Sequence, residues 1–200
     1  MMHHIYHEGK EGKPVLLLLH GTGGTEQDLL PIADMIDPEA SVLSVRGNVS
    51  ENGMPRFFKR LREGVFDIED LKFRTQELNE FLGDTAHKYQ FDRSNVIAIG
   101  YSNGANIAGS LLFNYSDSLK AAILHHPMVP LRDHELPSLS GTKVFIGAGE
   151  NDPICPASET EDLDELLKGA GADVTVKWYN RGHQLIEEEV NDAKQWYSTL

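Results

Sequence analysis

The sequence predicts an α/β protein built on one doubly wound, mainly parallel sheet, and three observations carry that expectation. Short continuous apolar runs, such as Val15–Leu19 and Val96–Ile99, recur along the chain, and such runs suit strands covered on both faces. Segments with helical apolar spacing alternate with them, as between Asp67 and Gln90. A β-α-β-α alternation with about six to seven strands predicts a parallel sheet with helices on both faces. Glycine-rich turns follow several of the apolar runs, and strand C-terminal ends are where such sheets place their ligands.

The elements follow in order. His3-His4-Ile5-Tyr6-His7 alternates weakly and reads as a short edge strand before a Gly9–Gly12 turn. Its histidines are expected to be incidental members of a polar terminus rather than metal ligands. Val15–Leu19 is the first buried strand, and His20-Gly-Thr-Gly-Gly24 follows it, with Thr25 placed to cap a helix from Glu26 to Ile36. The glycine turn is not a phosphate-binding loop, because no Gly-Lys-Ser/Thr follows. Ser41–Val45 is the second buried strand. From Arg46 to Gly64 the chain is expected to be long and irregular, and loops of such length are usually functional. A helix is expected over Asp67–Gln90, with a possible irregularity at Gly83, then a strand over Asn95–Ile99 and a helix over Asn103–Tyr115. Ala121–Leu124 and Lys143–Gly147 are further buried strands. The first leads into His125-His126-Pro127, the second into Gly149-Glu-Asn-Asp152-Pro153. A helix over Ser158–Lys168, an alternating strand over Asp173–Tyr179 and a helix over Gln184–Leu200 complete the chain.

Two hundred residues fit a single domain over 1–200. The formal net charge of −13 argues against nucleic acid and anionic membrane surfaces as partners. The single cysteine, Cys155, rules out an internal disulfide framework. No apolar run is long enough for a membrane span or a signal-peptide core, so a cytoplasmic location is the default.

The chemistry begins at Val96-Ile-Ala-Ile-Gly-Tyr-Ser-Asn-Gly-Ala105. It holds a Gly-x-Ser-x-Gly pentapeptide between a strand and a helix, the context that gives that motif meaning. A serine hydroxyl is a weak nucleophile, so it must stand on a sharp turn within reach of a base. Alone the pentapeptide decides nothing, since it arises by chance in roughly one in ten chains of this length. What decides is whether the other strand ends supply a base and an acid.

They do. Asp152 follows the Lys143–Gly147 run and His183 follows the last strand within Asn-Arg-Gly-His. With Ser102 they give the chain order Ser…Asp…His. Glu150 is a competing carboxylate. His20, in the glycine turn, suits a backbone-organising role, and the pair His125-His126 precedes the acid, which is the wrong order for a base. The oxyanion hole is expected from the backbone N–H of Asn103, after the nucleophile, and from that of Thr22 in the glycine turn.

These pieces resemble an α/β-hydrolase of the phospholipase/carboxylesterase branch, which includes acyl-protein thioesterases and small bacterial carboxylesterases. The matching segments are His20-Gly-Thr-Gly-Gly24, Gly100-Tyr-Ser-Asn-Gly104, Gly149-Glu-Asn-Asp-Pro153 and Gly182-His183, and they span most of the chain. Arg46-Gly47 and Arg56-Phe-Phe-Lys-Arg60 match more loosely the bacterial hydrolases linked to quinone or aromatic-compound stress. The resemblance implies the α/β-hydrolase fold with no large lid domain, a Ser102–His183–Asp152 triad, metal-free chemistry without a cofactor, and hydrolysis of short-chain esters. Two departures stand out: Asn103 replaces the glutamine often found after the nucleophile, and Gly24 stands where many thioesterases carry aspartate.

A small-molecule ester is therefore the expected partner. Because His183 must be neutral to act as a base, activity is expected to fall below about pH 6–7. In the Arg46–Gly64 stretch, Phe57 and Phe58 are candidates to line a substrate pocket, and Arg56 or Arg60 to pair with a substrate carboxylate. The plainer reading, core phenylalanines beneath the loop and solvated charges, is favoured. Within enzymes the alternative is an acyl thioesterase or lysophospholipase, and outside them a non-catalytic binding protein on the same scaffold. A dienelactone-type hydrolase is a further variant, in which cysteine would be expected at position 102. A homodimer is possible, though no segment places its interface.

Overall fold

The computed structural model describes residues 1–200. Its centre is a seven-stranded sheet, built from β1 (His4–His7), β2 (Val15–Leu19), β3 (Ser41–Val45), β8 (Val96–Tyr101), β9 (Ala121–His125), β10 (Lys143–Gly149) and β11 (Asp173–Tyr179). The spatial order is β1-β3-β2-β8-β9-β10-β11. Only the edge strand β1 is antiparallel; it pairs with β3, and every other neighbouring pair is parallel. The order runs outward in both directions from β2 and β8, so the crevice beyond their C-terminal ends is where a doubly wound sheet opens to ligands.

Strand alternation divides the apolar side chains between two cores. Leu17 and Leu19 of β2 point to one face, where they join Leu78 and Leu82 of α2 (Ile68–Tyr89), Leu111 and Leu112 of α3 (Asn103–Asn114) and Leu163 of α4 (Ala157–Gly169). Leu16 and Leu18 point to the other face, with Ala33 of α1 (Leu30–Ile36) and Val190 of α5 (Glu187–Tyr197). Each leucine or valine among them taken from water contributes about 1.5–3 kcal/mol. No helix is long and apolar enough to cross a membrane. No large additional domain is inserted anywhere in the chain.

Several expected boundaries shift for identifiable reasons. Helix α1 begins at Leu30, not Glu26, and its start is set by a proline in the first turn. Thr25 instead caps an isolated turn, its hydroxyl accepting from the Gln27 amide at 3.3 Å. Helix α5 begins at Glu187, not Gln184, because Ile186 is extended, and Glu187–Glu189 then face the positive end of the helix dipole.

The largest correction concerns Arg46–Gly64, which is not irregular. Together with Val65 and Phe66 it forms two small antiparallel hairpins, β4 (Val49–Glu51) with β5 (Met54–Arg56), and β6 (Arg60–Arg62) with β7 (Val65–Phe66). The first turns at Asn52-Gly53, both with positive φ (51° and 83°), the backbone a two-residue hairpin requires. The second closes through Glu63-Gly64 with a register irregularity.

Candidate active site

The site forms where β8 ends. Ser102 sits between β8 and α3 with φ 52° and ψ −111°, a sparsely populated backbone state that costs about 1–3 kcal/mol. Packing holds it there. The Ser102 amide donates to the His125 carbonyl at 2.9 Å, and a Cβ on Gly104 would lie 1.9 Å from the Leu19 carbonyl oxygen. Glycine at that place lets α3 start directly against the end of β2.

His183 and Asp152 arrive from two neighbouring strand ends. His183 Nε2 lies 2.7 Å from Ser102 Oγ, and His183 Nδ1 lies 2.7 Å from Asp152 Oδ2. The Asp152 Oδ1 oxygen accepts from the Ile154 and Cys155 amides at 2.8 and 2.9 Å. Burial alone would raise the Asp152 carboxyl, but the Cys155 amide, His183 and the Ile154 amide together hold it below the ordinary carboxylate value. The two loops are tied together: Asn151 Oδ1 accepts from the Gly182 amide at 2.8 Å, and the Tyr101 hydroxyl donates to the His183 carbonyl at 2.6 Å. Glu150 is exposed and takes no part.

Asn103 is the first residue of α3, so its amide has no acceptor within the helix. The Thr22 amide has no protein acceptor either. Both residues line the cavity that holds Ser102 and His183. His20 organises the glycine turn, its Nδ1–H donating to the Gly21 carbonyl at 2.6 Å and its Nε2 accepting from the Gly47 amide at 3.0 Å. Burial lowers its proton affinity, and with both nitrogens engaged it is a neutral structural histidine.

The cavity has a volume of about 320 Å³ and is walled by Met54, Phe66, Met128 and Ile154 among others. Arg56 also lines it, whereas Phe57 and Phe58 do not. Those two are 1% and 0% exposed; they lie in the connection between the two hairpins, and their side chains belong to the core shared with α2 and α3. The favoured reading of both as core phenylalanines matches this burial, and neither lines the cavity. The Arg56 guanidinium does not stand free for a substrate: it donates to the Phe58 carbonyl at 3.1 Å and to the Thr22 hydroxyl at 2.5 Å. Burial pushes it down to about 10, so it remains a cation at neutral pH. Arg60 is paired with Glu51 at 2.7 Å. Arg56 thus braces the glycine turn, and the sequence held no signal for that.

Sequence reasoning also missed the role of the histidine pair. His126, Asp152 and His183 present ligand atoms within 4.8 Å of one another. Both imidazole Nδ1 atoms, however, hydrogen-bond to Asp152 Oδ2 itself, at 3.1 and 2.7 Å. The cluster is satisfied internally, with the carboxylate at the place a shared ion would take. Tyr101 and Asn103 were missed as positioning groups as well, although both stand inside the pentapeptide; the Asn103 side-chain oxygen accepts from the Phe57 amide at 2.7 Å.

Comparison with known proteins decides the family. The family model described as the dienelactone hydrolase family matches residues 66–197. The chain belongs to that family. Across 98% of both chains it is 58% identical to MhqD of Bacillus subtilis (strain 168), provisionally named a hydrolase. Among solved structures it is similar to the Bacillus cereus carboxylesterase, with 64% identity, a TM-score of 0.99 and coverage of 100% of this chain and 94% of that one. It is also similar to YahD, solved with malic acid, with 34% identity, a TM-score of 0.95 and coverage of 100% and 99%. This dienelactone hydrolase family member is an α/β-hydrolase and an enzyme of the hydrolase class. Serine at position 102 does not separate it from the family, contrary to the expectation of cysteine there. The same turn serves either nucleophile, serine needing the adjacent base more than a thiol does.

Proposed function

We propose that this hydrolase is a serine esterase that cleaves short-chain carboxylic esters through an acyl-enzyme. The observation that carries the reading is the continuous hydrogen-bonded line Ser102 Oγ–His183–Asp152, with 2.7 Å at both steps. In the first half-reaction His183 Nε2 takes the Ser102 proton as Oγ attacks the ester carbonyl carbon. The Thr22 and Asn103 amides hold the oxyanion, each such donor lowering the barrier by about 3 kcal/mol. Collapse breaks the bond to the alcohol oxygen, which takes the proton from His183, and leaves Ser102 acylated. Water then gives its proton to His183 and attacks the acyl carbon, and the proton returns to Ser102 Oγ as the carboxylic acid leaves. Asp152 keeps the imidazole in the required tautomer throughout.

The cavity of about 320 Å³ sits at the small end of ligand sites and favours a small acyl group. One observation favours a second reading, a thioesterase or lysophospholipase. A groove of about 380 Å³ along Ile68, Val129, Pro130 and Leu131 shares Gly64, Phe66 and Met128 with the catalytic cavity, which would give a longer chain somewhere to lie. Hydrolysis of p-nitrophenyl esters from acetate to decanoate, with Ser102→Ala in parallel, separates the readings. Short-chain preference abolished in the variant is expected. A maximum at decanoate moves the assignment to long acyl chains, and turnover that survives in Ser102→Ala overturns the serine mechanism.

A further inference from the structure

The histidine pair at the end of β9 continues the hydrogen-bonded line beyond Asp152. His126 has a φ of 55°, its amide donates to the Gly147 carbonyl at 2.8 Å, and its side chain is 1% exposed. Its Nδ1 lies 3.1 Å from Asp152 Oδ2, and its Nε2 lies 3.0 Å from Glu189 Oε2. Glu189 comes from α5 and is fully buried; its other oxygen meets His125 Nδ1 at 2.5 Å. A Cβ on Gly147 would stand 2.1 Å from that oxygen, so glycine in β10 makes the room Glu189 occupies. The line then closes on itself, because the His125 carbonyl accepts from the Ser102 amide.

A neutral imidazole carries one N–H and one lone pair. Between two ionised carboxylates one of its nitrogens would therefore face an anion with its lone pair. We propose that His126 is a positioning residue held as an imidazolium between Asp152 and Glu189, donating one N–H to each. The inference rests on the esterase reading given above and adds a role to it. Two carboxylates and one imidazolium leave one net negative charge, the same as a lone aspartate behind His183. Glu189 thus secures the His126 proton, and His126 fixes the Asp152 oxygen that faces His183.

The directions of titration agree with this. Burial works against a charged His126, but Glu189 first and Asp152 second more than offset it. Burial likewise opposes an ionised Glu189, which His125 and His126 hold below the ordinary value. The other groups near His126 are His183 at 5.3 Å between ring centroids, Tyr101 at 6.1 Å, and His125, the last residue of β9 directly before it. The Cys155 thiol donates to the His126 carbonyl at 3.5 Å. Burial pushes the Tyr101 hydroxyl and the Cys155 thiol upward, so both stay uncharged.

Removing His126 leaves two buried anions near His183, which strengthens the hold on a proton there. His126→Gln is expected to move the acid limb of kcat/KM to higher pH by about one unit and to lower kcat more than it raises KM. The double variant His126→Gln/Glu189→Gln deletes both members of a neutral pair and is expected to return the limb to the wild-type position. A merely structural role would leave the limb of the single variant unmoved as well. Side-chain ¹⁵N NMR of the wild type is expected to show both His126 nitrogens protonated at neutral pH, which is read whether or not the variants fold. A neutral-imidazole signature at His126 overturns the inference, as does an unmoved acid limb in folded, active His126→Gln. A wild type without serine-dependent turnover instead sinks the esterase reading, and the NMR signal still decides the proton.

Discussion

Ser102 holds strained backbone angles, φ 52° and ψ −111°, kept by its amide's bond to the His125 carbonyl and by the close approach of Gly104 to the end of β2. Strain of this kind concentrates at functional positions. Glycine at 102 would adopt the same angles freely. Ser102→Gly is therefore expected to be inactive and yet more stable by about 1 kcal/mol, read as a rise in Tm. A fall in Tm would mean that the turn is not strained and that the serine side chain contributes more than the backbone loses. Thr22, Arg56 and His20 show the same division of labour at residue scale. Arg56 and His20 are buried and hydrogen-bonded within the loop, Arg56 to the Thr22 hydroxyl and His20 to the Gly21 carbonyl and the Gly47 amide, and together they hold the turn that brings Thr22 to the cavity wall.

Among the elements, the two hairpins between β3 and α2 do most to shape the site. They carry Met54, Arg56 and Phe66 into the cavity wall while burying Phe57 and Phe58 beneath. Phe58 meets Phe66 edge-on, 5.0 Å between centroids, and the Arg56 guanidinium lies over its ring. Phe58→Ala is expected to cost about 3–5 kcal/mol of stability, measured by urea unfolding, while KM for a short ester changes little. A large KM effect with unchanged stability would instead place Phe58 in the substrate pocket. These hairpins were the part of the fold least legible in the sequence. Their strands are two or three residues long and lack an apolar alternation, although Asn52-Gly53 is a recognisable turn signal. The long strands and helices were legible because burial on two faces and on one face leave different periodicities.

At the scale of the molecule, four strand ends and the last helix meet in one polar cluster. Ser102, Asp152 and His183 could be read from order and context, since a strand end followed by glycine or proline marks the rim of the sheet. Glu189 could not. It stands among three consecutive glutamates in the first turn of α5, and nothing local distinguishes the one that points inward; only the fold brings it to His125 and His126. The cluster also ties stability to pH. Asp152 and Glu189 lie below their ordinary values, so their contribution is present above about pH 4 and is lost as pH falls through the lowered values. His126 lies above its ordinary value, so its contribution is complete below about pH 6.5 and is lost as pH rises through the raised one. The Tm difference between wild type and His126→Gln/Glu189→Gln is thus expected to vary with pH and to favour the wild type most between those limits. A difference independent of pH would contradict an ionised cluster.

Acyl transfer through Ser102 is tested most directly by covalent capture. The intact protein exposed to a small fluorophosphonate should gain the mass of one phosphonyl group, mapped by peptide sequencing to Ser102 and absent from His183→Ala. No adduct in the folded wild type, or an adduct on another residue, would contradict a serine nucleophile at the end of β8.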